Sequence, residues 1–218
     1  MLGGGLNHIN VKTITAGSWK ENCYIVSNVA GEVLIIDPGH DRRATVRYIE
    51  ANDYQVSAIV NTHAHYDHVG AVQYLKDRYQ APFYLHSLDE QLLRSANLYA
   101  KIFNGTGPIQ VPAIDHYLDR LDIQTDLPHF DISMMLTPGH TRGSVCILIE
   151  NCLFTGDTLL RGSVGRTDLP GGDRESLCES LTALTQVPPQ TNIYPGHGAA
   201  STIEHEVTHN RALSQAIR

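Results

Sequence analysis

The sequence predicts one α/β domain that spans residues 1–218, with polar side chains collected where strands end. Two observations support this prediction. Short β-rich runs alternate with amphipathic stretches along the chain, and no linker, fixed-period repeat or low-complexity segment divides it. A hydrophobic content of 42% with 18% charged residues is typical of a globular protein with its own core.

The first half of the chain predicts five strands and three helices. Strands are predicted from β-rich runs at 11–16, 22–28, 33–37, 56–61 and 83–86. Helices are predicted from amphipathic patterns at 42–51, from Val69 to Tyr79, and at 88–102. The third strand ends in the turn signal Asp37-Pro38-Gly39, and Pro82 ends the second helix.

The second half repeats the pattern after a Gly- and Pro-rich segment at 104–115, which predicts a surface loop. Strands are predicted at 132–137, 145–149, 152–154 and 192–194. Helices are predicted at 174–185 and from Ser201 onward.

Charge and cysteine usage exclude several classes of function. The net charge of −7 argues against a nucleic-acid partner, which needs an excess of Lys and Arg on one face. No apolar run approaches the roughly 20 residues of a membrane span, and no signal peptide is evident, so no membrane partner is expected. The four cysteines form no C-x-x-C pair, which predicts free thiols and a cytoplasmic location.

The strongest chemical signal lies where the predicted strand 56–61 meets the following helix. Here His63 and His65 are two residues apart, so their rings point to the same side of an extended segment. Asp67 and His68 fall where the helix begins and turn toward a neighbouring point. Four donors within six residues therefore predict two half-sites for metal.

Three later junctions between a strand and a loop add donors beside glycine: His140, Asp157 and His197. The five histidines and two aspartates are enough for two metal ions with three protein ligands each and one bridging carboxylate. Imidazole and carboxylate without thiolate suit zinc, iron or manganese, and we favour zinc. Coordination positions left open for water indicate a catalytic centre.

The pattern H-x-H-x-D-H, with later G-H-T, G-D and G-H elements, resembles the metallo-β-lactamase superfamily. The resemblance implies an αββα sandwich of two mixed β-sheets flanked by helices. It implies that His63, His65 and His140 hold one metal, that Asp67, His68 and His197 hold the second, and that Asp157 bridges them. Asp37 would orient a ligand histidine by a hydrogen bond.

The segments 154–173 and 194–203 are similar to glyoxalase II, the hydroxyacylglutathione hydrolases. The sequence resembles the short, single-domain hydrolases of this branch more than the larger enzymes, which add a C-terminal helical domain. The metal-dependent β-lactamases lack the bridging aspartate, whereas Asp157 is present here. The resemblance implies a metal-dependent hydrolase that cleaves an acyl thioester of glutathione, coenzyme A or an acyl-carrier protein. The Lys-x-Tyr segment of the larger enzymes is replaced by Arg166-Thr167-Asp168, so glutathione binding is an open question.

Two cations at one centre lower the pKa of a bridging water to about 7, which provides hydroxide at neutral pH. Asp67 is expected to orient this hydroxide, and Asp157 to bridge the ions, so both are assigned catalytic roles. Arg161 and Arg166 are expected to bind the substrate through bidentate contacts with a carboxylate or phosphate. The alternative for Arg166 is a structural pair with Asp168 or Asp173.

Other functions were weighed against hydrolysis. A persulfide dioxygenase shares the fold and the Arg166-Thr167-Asp168 pattern, and it would use one iron held by His63, His140 and Asp157. A non-catalytic binding role would not need all seven ligands. A zinc protease is suggested by the H-E-x-x-H pattern at 205–209, but only nine residues follow His209. The acyl group, the thiol carrier, the metal and the oligomeric state are left open.

Overall fold

The computed structural model describes residues 9–103, 108–120 and 123–217. Two mixed β-sheets pack face to face, and helices cover both outer faces. The sandwich of two mixed sheets predicted from the sequence is therefore confirmed.

The first sheet contains six strands that follow one another in chain order. They are β1 (Asn10–Ala16), β2 (Glu21–Ser27), β3 (Glu32–Ile36), β4 (Gln55–Val60), β5 (Phe83–Leu85) and β6 (His116–Tyr117). The first three strands are antiparallel, and β3 to β6 are parallel.

The second sheet is built from the later half of the chain. Its strands are β7 (Ile132–Leu136), β8 (Val145–Ile149), β9 (Cys152–Gly156), β12 (Asn192–Pro195) and β13 (Ser201–Thr202). Their order is β13-β12-β9-β8-β7, and β9 and β12 run parallel. A separate ribbon pairs β10 (Leu159–Leu160) with β11 (Ser163–Val164).

Nine α-helices lie in the described residues. They are α1 (Arg42–Ala51), α2 (Tyr66–Val69), α3 (Val72–Tyr79), α4 (Glu90–Arg94), α5 (Ala96–Phe103), α6 (Ile123–Asp126), α7 (Arg174–Leu184), α8 (Ile203–His209) and α9 (Arg211–Ala216). Short 3₁₀ turns occupy Ser87–Asp89 and Leu118–Arg120.

Alternation along the strands explains the layers. In β3, Leu34 and Ile36 face the second sheet, whereas Val33 and Ile35 face the helices that cover the first sheet. In β9, Phe154 faces inward and Leu153 packs under α7, α8 and α9. All four cysteines are free thiols, as predicted. Within the described residues no helix has the length and hydropathy needed to cross a bilayer.

Three of the predicted helices are interrupted in the structure. The helix predicted from Val69 is two helices, α2 and α3, separated at Gly70. The Ala71 amide donates to the Pro38 carbonyl at 3.0 Å, and a Cβ on Gly70 would lie 3.0 Å from the Gly39 carbonyl oxygen. The chain turns here because the loop after β3 packs against it.

The helix predicted at 88–102 is also wrong as a single element. It is a 3₁₀ turn followed by α4 and α5, with a break at Ser95. The 3₁₀ turn places the Asp89 carboxylate against the amides of Ala64 and Gly143, in two loops at the sheet edge. Of the predicted loop 104–115, residues 104–107 lie outside the described residues, and 108–115 contain no helix or strand.

The C-terminal helix predicted from Ser201 divides at Asn210. The Asn210 side chain accepts from the Leu213 amide and so starts α9. Its Nδ2 donates to the carbonyls of Leu160 and Ser163 in the ribbon. One asparagine therefore ends α8, starts α9 and fixes the ribbon beside them.

Candidate metal centre

Seven histidine and aspartate side chains meet at one edge of the sandwich, where strands end. Four of them follow β4, in the loop at 61–65 and in α2. The others come from the loop between β7 and β8, from the residue after β9, and from the loop after β12. They are His63, His65, Asp67, His68, His140, Asp157 and His197.

The first donor group consists of His63, His65 and His140, all buried. One ring nitrogen of each lies within 4.8 Å of the others. His65 Nδ1 is 2.9 Å from His140 Nε2. The Nε2 atom of His63 is buried without a hydrogen-bond partner among the described residues.

The second donor group consists of Asp67, His68 and His197, whose ligand atoms also lie within 4.8 Å of one another. The Nε2 atoms of His68 and His197 are 3.2 Å apart. The Asp67 Oδ2 atom is 3.5 Å from His197 Nε2.

The Asp157 carboxylate lies between the two donor groups. Its Oδ2 is 3.5 Å from His140 Nε2 in the first group and 3.4 Å from His197 Nε2 in the second. Its Oδ1, 3.8 Å from His68 Nε2, is buried without a hydrogen-bond partner among the described residues. This is the position that a bridging ligand occupies.

Hydrogen bonds on the far side of the rings fix which nitrogen faces the centre. His140 Nδ1 donates to the Arg166 carbonyl at 2.8 Å, and His197 Nδ1 donates to the Trp19 carbonyl at 3.0 Å. Thr62 Oγ1 donates to Asp37, so it accepts from His63 Nδ1 at 3.0 Å. In each ring Nε2 keeps its lone pair and points into the centre, as in metal-ligating histidines.

The residues fit divalent metal ions. In each donor group two ring nitrogens from different segments of the chain lie side by side, at 2.9 Å and at 3.2 Å. Neutral imidazole nitrogens that share one ion come together in this way. The unpartnered Nε2 of His63 and Oδ1 of Asp157 would be satisfied by the same ions. The two groups can therefore each bind a metal ion through nitrogen and oxygen donors.

The two donor groups differ in electrostatics. Burial, reinforced by the His140 ring, lowers the pKa of His65 to about 3. Burial also lowers the pKa of His63 well below its usual range, so both rings are neutral, as metal ligands must be. Burial opposes the charge on His68, but the carboxylates of Asp67, Asp37 and Asp157 outweigh it and raise its pKa to about 10.

Asp37 lies outside the two donor groups and contacts Thr62 and His68. Its backbone has φ +49°, an uncommon conformation for a residue with a side chain. The carboxylate accepts from the Thr62 amide at 2.7 Å and from Thr62 Oγ1 at 2.6 Å, and it lies 3.4 Å from His68 Nδ1. Asp37 also lies within 4.8 Å of nitrogens of His63 and His68. Because both of its oxygens already accept hydrogen bonds, we assign it to orienting those rings.

The first sheet holds the His197 loop in place. Asn22 Nδ2 donates to the carbonyls of Pro195 and Gly198 at 3.0 and 2.8 Å. Between them, Gly196 packs so closely that a Cβ would lie 2.2 Å from Asp157 Oδ1 and 2.9 Å from His68 Cε1. Only glycine allows the backbone to approach the donor groups this closely.

Asp89 was not singled out from the sequence, although it connects two of the ligand-bearing loops. It is 1% exposed and accepts three hydrogen bonds. They come from the Ala64 amide at 2.9 Å, the Thr141 hydroxyl at 2.9 Å and the Gly143 amide at 2.7 Å. Asp89 thus ties the loop of His63 and His65 to the loop of His140.

The two arginines expected to bind substrate are placed differently. The side chain of Arg166, which lines a groove beside the centre, makes two hydrogen bonds to Asp168, both 2.7 Å long. Arg161 is not among the residues that line this groove, and its Nη1 donates to the Ala200 carbonyl at 3.3 Å.

The H-E-x-x-H pattern at 205–209 does not form a metal site in the described part of the chain. His205 and His209 are exposed and stack on each other with ring centroids 4.7 Å apart. Glu206 is buried and accepts from Ser201 Oγ, from the Gly162 amide at 2.7 Å and from Asn210 Nδ2 at 2.8 Å. The glutamate therefore joins α8 to the β10–β11 ribbon.

We expect His205→Ala and His209→Ala to leave metal content and turnover within about twofold of the parent protein, because exposed side chains away from special features contribute little. Elemental analysis and steady-state kinetics of each variant check this. A large loss of metal in either variant would show that these histidines bind it after all.

Comparison with known proteins gives consistent results. A model of the metallo-beta-lactamase superfamily matches residues 16–197. The chain is 32% identical over 215 residues to hydroxyacylglutathione hydrolase GloC of Haemophilus influenzae, covering 94% of this chain and 99% of GloC.

Two solved structures are also similar over nearly their whole length. BLEG-1 B3 metallo-beta-lactamase is 35% identical with a TM-score of 0.87, covering 94% of this chain and 100% of that one. TTHA1623 in a di-iron-bound form is 35% identical with a TM-score of 0.84, covering 92% of this chain and 99% of that one.

Proposed function

Because the chain belongs to the metallo-beta-lactamase superfamily, we propose that it is a metal-dependent hydrolase that cleaves acyl thioesters with two divalent ions. The observation that carries this proposal is the Asp157 carboxylate, which lies 3.5 Å from His140 and 3.4 Å from His197 beside an open groove. We propose zinc as the metal. The di-iron form of TTHA1623 makes iron the alternative.

In this proposal His63, His65 and His140 would hold one ion, Asp67, His68 and His197 would hold the other, and Asp157 would bridge them. When bound, such ions supply Lewis acidity, which lowers the pKa of water toward neutrality and polarises a carbonyl oxygen. The carboxylates of Asp67 and Asp157 both line the groove. Either carboxylate would accept a hydrogen bond from a water at the centre and so orient it toward the substrate carbonyl.

The composition of the groove favours a leaving group that needs no proton. Outside the seven donor residues, its described lining has no carboxyl, imidazole or amine: Trp19, Tyr66, Leu92, Tyr99, Phe103, Arg166, Leu169 and Pro170. Burial raises the pKa of the Tyr66 phenol to about 12, so it is a weak acid. A thiol has a pKa of about 8.5 and leaves readily as the thiolate, whereas an amine must be protonated. A thioester therefore suits this site.

A second candidate is hydrolysis of a β-lactam, because the similar structure BLEG-1 is described as a B3 metallo-beta-lactamase. Thioester hydrolysis is favoured by the absence of an acid for the amide nitrogen, and it agrees with the name of the GloC relative. The proposed carrier of the acyl group is a small thiol or an acyl-carrier protein.

The proposal is tested with purified protein loaded separately with zinc, iron and manganese. Thiol release is measured from lactoyl-glutathione, acyl-coenzyme A and acyl-carrier protein, and parallel assays follow β-lactam opening and oxygen uptake with a persulfide. We expect thiol release that stops on chelation and returns when metal is restored. Oxygen uptake, or β-lactam opening without thiol release, would overturn the proposal.

Arg166→Ala is expected to raise KM for thioesters with an anionic carrier by about tenfold and to leave metal content unchanged. The exposed pair with Asp168 contributes little stability, so the guanidinium can exchange Asp168 for a substrate anion at small cost. The His140 ring is held by the backbone carbonyl of residue 166, which alanine keeps. Steady-state kinetics separate lost binding from lost chemistry. A joint fall in Tm and kcat would instead indicate a structural pair.

A further inference from the structure

Part of the groove wall is apolar and partly exposed. Trp19 is 47% exposed and Phe103 is 41% exposed, and both line the groove together with the donor residues. The rings of Tyr99 and Phe103, four residues apart on α5, stack with an interplanar angle of 21° and form one surface. Ligand-binding grooves combine apolar and aromatic walls with a few polar groups in this way.

A second depression adjoins the groove and shares Leu92, Tyr99 and Pro170 with it. Its lining is of mixed polarity, because Gln91 and Arg142 lie there beside the apolar residues. The apolar surface is therefore concentrated in the groove next to the donor groups.

Charge indicates which part of a thioester fits this wall. The carrier parts of glutathione, coenzyme A and carrier proteins contain peptide, carboxylate or phosphate groups. Against the rings of Trp19, Tyr99 and Phe103 these groups would lose water without gaining a partner, whereas Arg166 in the same groove can pair with a carrier anion. A hydroxyacyl group would meet the same cost. The acyl group is the part of an acyl thioester that can be wholly apolar.

We propose that the apolar wall of the groove binds the acyl group of the substrate and that this group is apolar, an alkyl or aryl chain. This inference rests on the proposed thioesterase function and names its substrate class. Leu92, Tyr99 and Phe103 pack along the chain, and Trp19 covers it from the β1–β2 turn.

The first test uses acyl-coenzyme A substrates from acetyl to decanoyl, with phenylacetyl and lactoyl thioesters for comparison. We expect kcat/KM to rise about fourfold per methylene until the groove is filled, the factor that burial of one CH₂ supplies. Equal or falling kcat/KM with chain length, while acetyl and lactoyl thioesters are cleaved, would overturn the inference and leave the thioesterase function standing.

A second measurement does not depend on turnover. Trp19 is the single tryptophan of the chain, so its fluorescence reports the groove directly. Decanoate, the product of a decanoyl thioester, is expected to shift Trp19 emission to shorter wavelength, whereas acetate and lactate are not. A decanoate shift without thiol release from any thioester would support the apolar groove and overturn the thioesterase proposal. No shift with decanoate would count against the groove.

A matched pair of variants on α5 completes the test. Phe103→Ala removes half of the stacked surface and is expected to lower the octanoyl-to-acetyl ratio of kcat/KM by about tenfold. Leu98→Ala removes a side chain that is 58% exposed on the same helix and does not line the groove, so the ratio should not change. Equal effects of the two variants on the ratio would contradict the inference.

Discussion

Asp157→Ala is expected to lose metal and to lower kcat/KM for thioester hydrolysis by about 100-fold or more. The carboxylate lies 3.5 Å from His140 and 3.4 Å from His197, so a single oxygen atom, Oδ2, faces both donor groups. Without it, two cations bound a short distance apart would repel each other unscreened. Even residues that only support a metal ligand change affinity or activity by about 10–100-fold when removed.

Metal per chain, measured by elemental analysis after dialysis, and steady-state kinetics check this prediction together. Asp131→Ala is the matched control, because it removes an exposed aspartate before β7 and away from the centre. It should retain both metal and turnover. An Asp157→Ala protein with two tightly held ions and normal turnover would refute the bridging role.

The local part of the centre could be predicted from the sequence because its geometry follows from short spacings. His63 and His65 share a side of one extended segment, and Asp67 and His68 turn away as α2 begins. The structure brings these residues into the two predicted groups, with His140 in the first and His197 in the second. Asp157 and His197 could be placed nearby because β9 and β12 are parallel and end at the same edge.

The supporting contacts could not be predicted because they join residues far apart in sequence. Asp89 binds Ala64, Thr141 and Gly143, which are 25, 52 and 54 residues away. Amphipathic periodicity placed Asp89 near the start of a long helix, where an aspartate is ordinary. Arg166 likewise stood out through its charge, whereas its backbone carbonyl is the group that holds His140. A sequence pattern does not distinguish side-chain from backbone roles.

Asp89→Asn is expected to weaken metal binding in the first donor group by about 10–100-fold while the fold is kept. Oδ2 of Asp89 accepts from Ala64 and Thr141, and Oδ1 accepts from the Gly143 amide. An asparagine can replace only one of these oxygens, so its NH₂ group would face a donor. A buried donor without an acceptor costs about 1–3 kcal/mol. The two loops can avoid this cost by moving apart. His140 would then separate from His63 and His65.

Competition with a chromophoric chelator measures the metal affinity. The Tm of the metal-free protein measures separately the stability that the Asp89 contacts provide. Asp119→Asn provides the control, because Asp119 is exposed and accepts from the Ser87 amide at 2.9 Å and its hydroxyl at 2.8 Å. It holds the same 3₁₀ turn but touches neither ligand loop. If Asp89 acts through the loops, only Asp89→Asn weakens metal binding, although both variants lower Tm. Equal metal affinity in the two variants would mean that Asp89 contributes to stability alone.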